Sequence, residues 1–185
     1  MRPSQSGESA LLLLDVIDVL NAEHVQYAVI GAFAASVHGA VRASMDADVV
    51  LNSGLALAKK LETVFAAAGY TVAVTRGDFE DPISALLAVN DHFGNKVDVL
   101  LGLRGLEPQA FTRLVEVPFQ GRTLKFIGRE DFIAMKLFAG GPIDIQDAKR
   151  AIAAAKGAFD LAAVRRLASL YGSDTRALLE SVLGG

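Results

Sequence analysis

Apolar residues return at helical spacing over residues 9–23, where Leu12, Val16, Val19 and Leu20 fall on one stripe, and this predicts an amphipathic helix with Ser9 as its cap. "YAVIG" then reads as a strand ending at Gly31, "AFAASVHG" as a short helix stopped by Gly39, and "DADVVLN" as the next strand. "SGLALAKKLETVFAAAGY" has the clearest helical period in the chain, with Ser53 as cap and Gly69 as terminator. "TVAVT", "SALLAVND" and "KVDVLLG" read as three strands, the last two joined by the tight turn "NDHFGN". "LVEVPFQGRTLKFIG" predicts a hairpin turning at Gln120 and Gly121. From Arg129 the period becomes helical and stays so: "REDFIAMKLFA", "IDIQDAKRAIAAAK", "DLAAVRRLASLYG" and "DTRALLESVLG" are separated by Gly or Pro signals. The expected organisation is a mixed α/β core over residues 1–128 and a helical part over 129–185, packed as one unit, with no internal repeat.

Within that pattern, three polar positions stand out because they interrupt strands that are otherwise apolar. Side chains alternate along a strand, so Asp46, Asp48 and Val50 share one face while Ala47, Val49 and Leu51 share the other. Two carboxylates pointing the same way on a half-buried face repel one another unless a cation, a proton or solvent relieves them. In "NKVDVLLG", Asp98 faces away from Val97, Val99 and Leu101. If the two strands are neighbours, three carboxylates converge. Oxygen ligands with no His or Cys suit a hard cation such as Mg²⁺, which prefers one or two carboxylates together with waters and substrate phosphates.

Composition narrows the chemistry further. The 185 residues are enough to bury a core, and 52% hydrophobic with 21% charged is an ordinary globular balance. The net charge of −3 supplies no global attraction to nucleic acid, so a polynucleotide substrate would need a local basic patch. The chain has no cysteine, which excludes disulfides, thiolate metal sites and a cysteine nucleophile, and its three histidines are too scattered for a zinc site. The run "ALLLLDVIDVLNA" is broken by Asp15 and Asp18 and is far shorter than the ~20 residues that span a bilayer. With no signal-peptide pattern either, a cytoplasmic protein without membrane contact is expected.

A Gly-containing strand end, a short helix, D-x-D on a strand and a lone Asp on a later strand together resemble the nucleotidyltransferase fold shared with DNA polymerase β. "VIGAFAASVHGAVRASMDADVVL", with "GREDFIAMKLFAGGPIDIQDAKRAI" later, looks like the subgroup that includes AbiEii-type toxins of type IV toxin–antitoxin systems and related bacterial nucleotidyltransferases. The resemblance covers roughly residues 10–155 and is specific as a combination rather than in any one piece. It implies an α/β (α+β) fold with a mixed sheet and a helical C-terminal extension. It also implies a metal-dependent transfer of a nucleotidyl group from a nucleoside triphosphate (NTP) to a hydroxyl of RNA, such as tRNA, or of protein, with Mg²⁺ or Mn²⁺ as cofactor and, in the toxin setting, an antitoxin as partner.

Carried over residue by residue, Asp46 and Asp48 match the metal-binding pair, and Asp98 matches the third carboxylate, a candidate base for the acceptor hydroxyl. Gly31 matches the first residue of the pair that lets backbone approach the triphosphate; the second is Ala32 here, which lacks a hydroxyl but keeps the N–H that cradles phosphate. Arg42 matches a basic residue ahead of the D-x-D, and Lys136 and Asp147 match later motif positions. The basic residue common near Gly141 or Pro142 in such sequences is absent.

Each position has a plainer alternative. Asp46 and Asp48 could flank a strand in solvent, Asp98 could lie on an exposed edge strand, and Arg42 could be a surface charge. Lys136 could run from its helix flank into water. Asp144 could cap the helix that follows "GGP", with Asp147 favouring the positive end of its dipole, and Arg165 with Arg166 could form a small basic edge. The rival to an enzyme is a non-catalytic member of the fold that binds a nucleotide or a partner protein, an alternative kept open by Ala32, the missing basic residue and the overall acidity.

Overall fold

The computed structural model describes residues 2–42 and 44–184. The elements run α1 (Ser9–Ala22), β1 (Tyr27–Val29), α2 (Gly31–Val37), β2 (Ala47–Leu51), α3 (Ala58–Ala67), β3 (Thr71–Arg76), β4 (Ala85–Asn90), β5 (Lys96–Leu101), β6 (Val115–Phe119), β7 (Arg122–Phe126), α4 (Arg129–Ala139), α5 (Pro142–Ala154), α6 (Leu161–Leu170) and α7 (Ser173–Gly184). The strands form one mixed seven-stranded sheet in the order β3-β4-β5-β2-β1-β7-β6. β2 and β5 lie side by side and parallel near its centre, with Asp48 opposite Asp98 in the register. β1 runs antiparallel to β2 on the other side, and β4 runs antiparallel to β5.

The alternation that singled out the carboxylates also organises the core. Ala47, Val49 and Leu51 of β2, Val97, Val99 and Leu101 of β5, and Ala85, Leu87 and Val89 of β4 are all buried. They belong to one apolar cluster that includes Leu12, Val16 and Leu20 of α1 and Leu61 and Phe65 of α3. Burying each of the Val, Leu and Phe side chains among them stabilises the fold by about 1.5–3 kcal/mol before entropy is counted. Of the residues between them, Asp48, Asp98 and Leu100 are left half-buried on the opposite face, while Val50 is buried. The helices after β7 extend the same cluster through Phe132, Ile133 and Leu137 of α4, Ala148 and Ala151 of α5, Val164 and Leu167 of α6 and Leu179 of α7.

Two predicted caps are not caps. Glu8 occupies the cap position of α1 and Ser9 is its first helical residue, so the Ser9 hydroxyl is free to donate to the Met45 carbonyl at 2.6 Å and to accept the Lys96 backbone N–H at 3.2 Å. α3 is entered through a 3₁₀ turn over Leu55–Leu57 rather than from Ser53, whose carbonyl instead accepts the Gly102 N–H. The hairpin turns at Gln120 and Gly121, both at positive φ, as expected for a two-residue connection. Among the described residues, no helix is long and apolar enough to cross a membrane.

Candidate active site

The site begins with the parallel register of β2 and β5. Strands in a sheet lie about 4.8 Å apart and register partners point to the same face, so Asp48 and Asp98 stand side by side. One step back along each strand on that face are Asp46, just before β2, and Lys96, the first residue of β5. Four ionisable groups thus occupy four corners of one patch. The Lys96 ammonium lies 3.2 Å from Asp46 Oδ2 and 3.0 Å from Asp98 Oδ2, bridging the two strands. The edge-strand alternative for Asp98 is therefore wrong, because β4 covers its other side.

Burial pushes the Asp48 carboxyl above its ordinary range; the Asp98 and Asp46 charges push the same way, against Lys136 and Lys96. The Lys96 ammonium is held above its usual range by its hydrogen bond to Asp98, with that to Asp46 adding. Asp98 Oδ1 is buried and has no hydrogen-bond partner. An orphaned carboxylate oxygen beside a second desolvated carboxylate is an electrostatic debt that a bound cation would relieve.

Gly31 is required here for a reason different from backbone access to phosphate. Its φ is +63°, and a Cβ added to it would sit 2.0 Å from Asp48 Oδ2. The start of α2 packs directly on the Asp48 carboxylate, and only glycine permits both the left-handed conformation and the contact. Ala32 follows, buried within α2.

Above this patch lies an open cavity of about 420 Å³. Gly31, Asp48 and Leu100 line its sheet side, and Met135, Lys136 and Phe138 of α4 line the helical side together with Arg42 and Asp144, with Pro82 and Ile83 contributed by the β3–β4 loop. That loop is fastened by Arg104, which donates to the Phe79 and Asp81 carbonyls at 2.8 and 2.9 Å. Most of the exposed lining is apolar, so the few charges in it are set against a low-dielectric wall.

Lys136 does not run into water. It is only 9% exposed and pairs with Asp144 at 2.7 Å and with Asp147 at 3.1 Å. Asp147, 1% exposed, also receives Arg42 Nε at 3.3 Å. The sequence places Asp147 among substrate contacts, whereas the structure buries it beneath two cations that line the cavity, where it positions both. Nor does Asp144 cap α5: Gly141 is the cap, Pro142 begins the helix, and Asp144 in the first turn binds Lys136. Arg165 and Arg166 form no free basic edge, being paired with Glu180 and Glu107.

The structure therefore brings together Gly31, Arg42, Asp48 and Lys136 around one cavity, with Asp46 and Asp98 in the adjoining carboxylate patch. Sequence reasoning missed Lys96, although its position two residues before Asp98 puts it on the same face. It also missed Ser9, whose hydroxyl ties the residue before Asp46 to the first residue of β5 and so fixes the spacing of the two strand entrances. Among the described residues, no three His, Cys, Asp or Glu side chains are gathered as a finished metal cage. Asp46 is turned to Lys96 instead.

No protein-family model and no curated protein sequence matches the chain. Solved structures do resemble it. The antibiotic-resistance factor ANT(2'')-Ia in solution aligns with a TM-score of 0.60 at 15% identity, over 94% of this chain and 96% of that one. TM1012 of Thermotoga maritima aligns at 0.57 and 17% identity over 74% and 88%. The lincosamide antibiotic adenylyltransferase LnuA, bound to lincomycin, aligns at 0.51 and 13% identity over 82% and 99%. At these identities the likeness is one of fold: the chain has the mixed α/β nucleotidyltransferase fold.

Proposed function

We propose that this chain is a divalent-metal-dependent nucleotidyltransferase that moves a nucleotidyl group from an NTP to a hydroxyl of an RNA, such as tRNA, or of a protein. The observation that carries the proposal is the in-register pairing of Asp48 with Asp98, beside Asp46, facing a cavity whose other wall holds Lys136 and Arg42. The donor set fits the cofactor: all-oxygen ligands, a buried carboxylate oxygen without a partner, and a carboxyl raised by burial and then by its like-charged neighbours. Asp46 and Asp48 would hold Mg²⁺ or Mn²⁺, with Asp98 completing the set. The ion, when bound, supplies positive charge to the reacting phosphate.

The residues of the chain do the rest. Lys136 and Arg42, held by Asp147, receive the negatively charged phosphates from the side opposite the carboxylates. The Asp98 carboxylate accepts the proton of the acceptor hydroxyl while the hydroxyl oxygen forms its bond to the α-phosphorus. The bond from the α-phosphorus to the bridging oxygen of the β-phosphate breaks, and pyrophosphate leaves. Most of the rate comes from alignment and charge neutralisation, as is usual for phosphoryl chemistry. The motif likeness supports a narrower form of the proposal, in which the chain acts in the cytoplasm as the toxin of a toxin–antitoxin pair with a protein antitoxin as partner.

A second reading, in which the fold binds a nucleotide or a partner without turnover, is favoured by one observation: Lys96 already bridges Asp46 and Asp98. Calorimetric titration of each of the four ribonucleoside triphosphates, with and without Mg²⁺, into the wild type and Asp46→Ala/Asp48→Ala tests the enzyme reading. Metal-dependent binding of at least one triphosphate, lost in the double variant, is expected. No binding under either condition would sink it. Binding with no transfer of label from an α-labelled nucleotide to cellular RNA or protein would leave the second reading in its place.

A further inference from the structure

We infer that Lys96 is the resident counter-ion of the carboxylate patch, a tethered cation with which an incoming divalent ion must compete, so that this side chain sets the metal affinity of the site. The inference rests on the metal-dependent reading above and extends it to a residue that this reading leaves without a role.

Lys96 begins β5 and shares a face with Asp98; the parallel register that pairs Ala47 with Val97 puts Lys96 abreast of Asp46. Its ammonium is within hydrogen-bond distance of one oxygen of each carboxylate, 3.2 Å for Asp46 and 3.0 Å for Asp98. The position is held from the backbone as well, because the Lys96 N–H is bound by the Ser9 hydroxyl that also grips the Met45 carbonyl, which fixes the two sides of the bridge relative to each other. Two of the three carboxylates therefore each give an oxygen to Lys96 instead of to an ion. Asp98 Oδ1 remains without a partner.

Charge counting gives the same picture. Three carboxylates facing one ammonium leave two net negative charges, which a single divalent ion cancels. Without Lys96, three negative charges would crowd one half-buried face, strongly favouring any available cation but destabilising the metal-free fold. Lys96 thus trades metal affinity for a patch that folds before the metal arrives. Removing its charge amounts to removing one charge-assisted competitor at each of two ligands, an exchange on the order of tenfold or more in affinity.

The test uses the full chain and Mn²⁺ as probe, with free Mn²⁺ read by electron paramagnetic resonance and thermal unfolding followed in chelator and in excess Mg²⁺. Lys96→Met and Lys96→Gln keep most of the stem and lose the charge; Lys96→Arg keeps the charge; Asp48→Asn in each background confirms that the ion is in this site. The neutral variants are expected to bind Mn²⁺ about tenfold tighter than the wild type, to melt lower in chelator and to recover that loss in Mg²⁺, while Lys96→Arg stays near the wild type. An unchanged or weaker Mn²⁺ affinity in the neutral variants, in a wild type that does bind, overturns the inference alone. Absence of Mn²⁺ binding in every variant overturns both the inference and the metal-dependent reading.

Discussion

Gly31→Ala is the most discriminating perturbation of the site, because its cost can be divided between two physical causes. An alanine at φ +63° must adopt the left-handed region, at about 1 kcal/mol. Its Cβ would also stand 2.0 Å from Asp48 Oδ2 and 2.8 Å from Asp48 Cγ, against ordinary contacts beyond 3.4 Å. The carboxylate must therefore swing by more than an ångström on its short, half-buried stem, carrying Cγ as well as Oδ2, at a cost of about 2 kcal/mol. The total of about 3 kcal/mol corresponds to a melting temperature lower by roughly 6–12 °C for a chain of this size. In an Asp48→Ala background Oδ2 and Cγ are gone, leaving only a Cβ at 3.1 Å that needs to give by a few tenths of an ångström. The second mutation should then cost about 1 kcal/mol, for a coupling energy of about 2 kcal/mol. Urea denaturation of the four proteins of this cycle, followed by far-ultraviolet circular dichroism, measures it directly. A Gly31→Ala cost that is the same with and without the Asp48 carboxylate, within about 0.5 kcal/mol, would refute the claim that α2 is seated on that side chain.

Two further outcomes follow from buried polar groups. Asp147→Ala leaves the buried Lys136 with Asp144 alone and frees Arg42, and should destabilise the protein by about 3 kcal/mol in urea denaturation; a loss under about 1 kcal/mol would mean that the pairs are not formed in solution. His38 is buried, with its Nε2–H donating to the Ile127 carbonyl at 2.8 Å, and burial lowers its pKa below the ordinary 6.5. The unfolded chain therefore takes up a proton near pH 6.5 while the folded chain does not, so the His38 contribution is fully present above that pH and is lost as the pH falls towards the folded pKa. Unfolding free energies between about pH 7.5 and 5 should show this slope in the wild type and a flatter one in His38→Gln, which keeps an N–H donor; parallel slopes would contradict it.

What the chain determines by itself is what local periodicity and alternation determine. The period-2 pattern in "ADVVL" and "KVDVLL" fixes which side chains of β2 and β5 face the core, and so leaves Asp48 and Asp98 on the other face whatever their neighbours. The helical periods after Arg129 likewise mark α4 to α7, and Gly140 at φ +67° closes α4 as a left-handed cap should. Strand order is not local information. That β2 lies beside β5, across the 44 residues of intervening chain, is decided by packing of the whole sheet, and it turns two separate aspartates into a pair. The same holds for side chains whose local reading had two equally good outcomes. Ser9 has a capping position within reach but spends its hydroxyl on Met45 and Lys96, and Lys136 has a route to water but meets Asp144 and Asp147 because α5 folds back against α4. In each case the competing partner lies on another element, the Met45 carbonyl and Lys96 N–H for Ser9 and the α5 carboxylates for Lys136, and only the tertiary fold brings it within 3.2 Å.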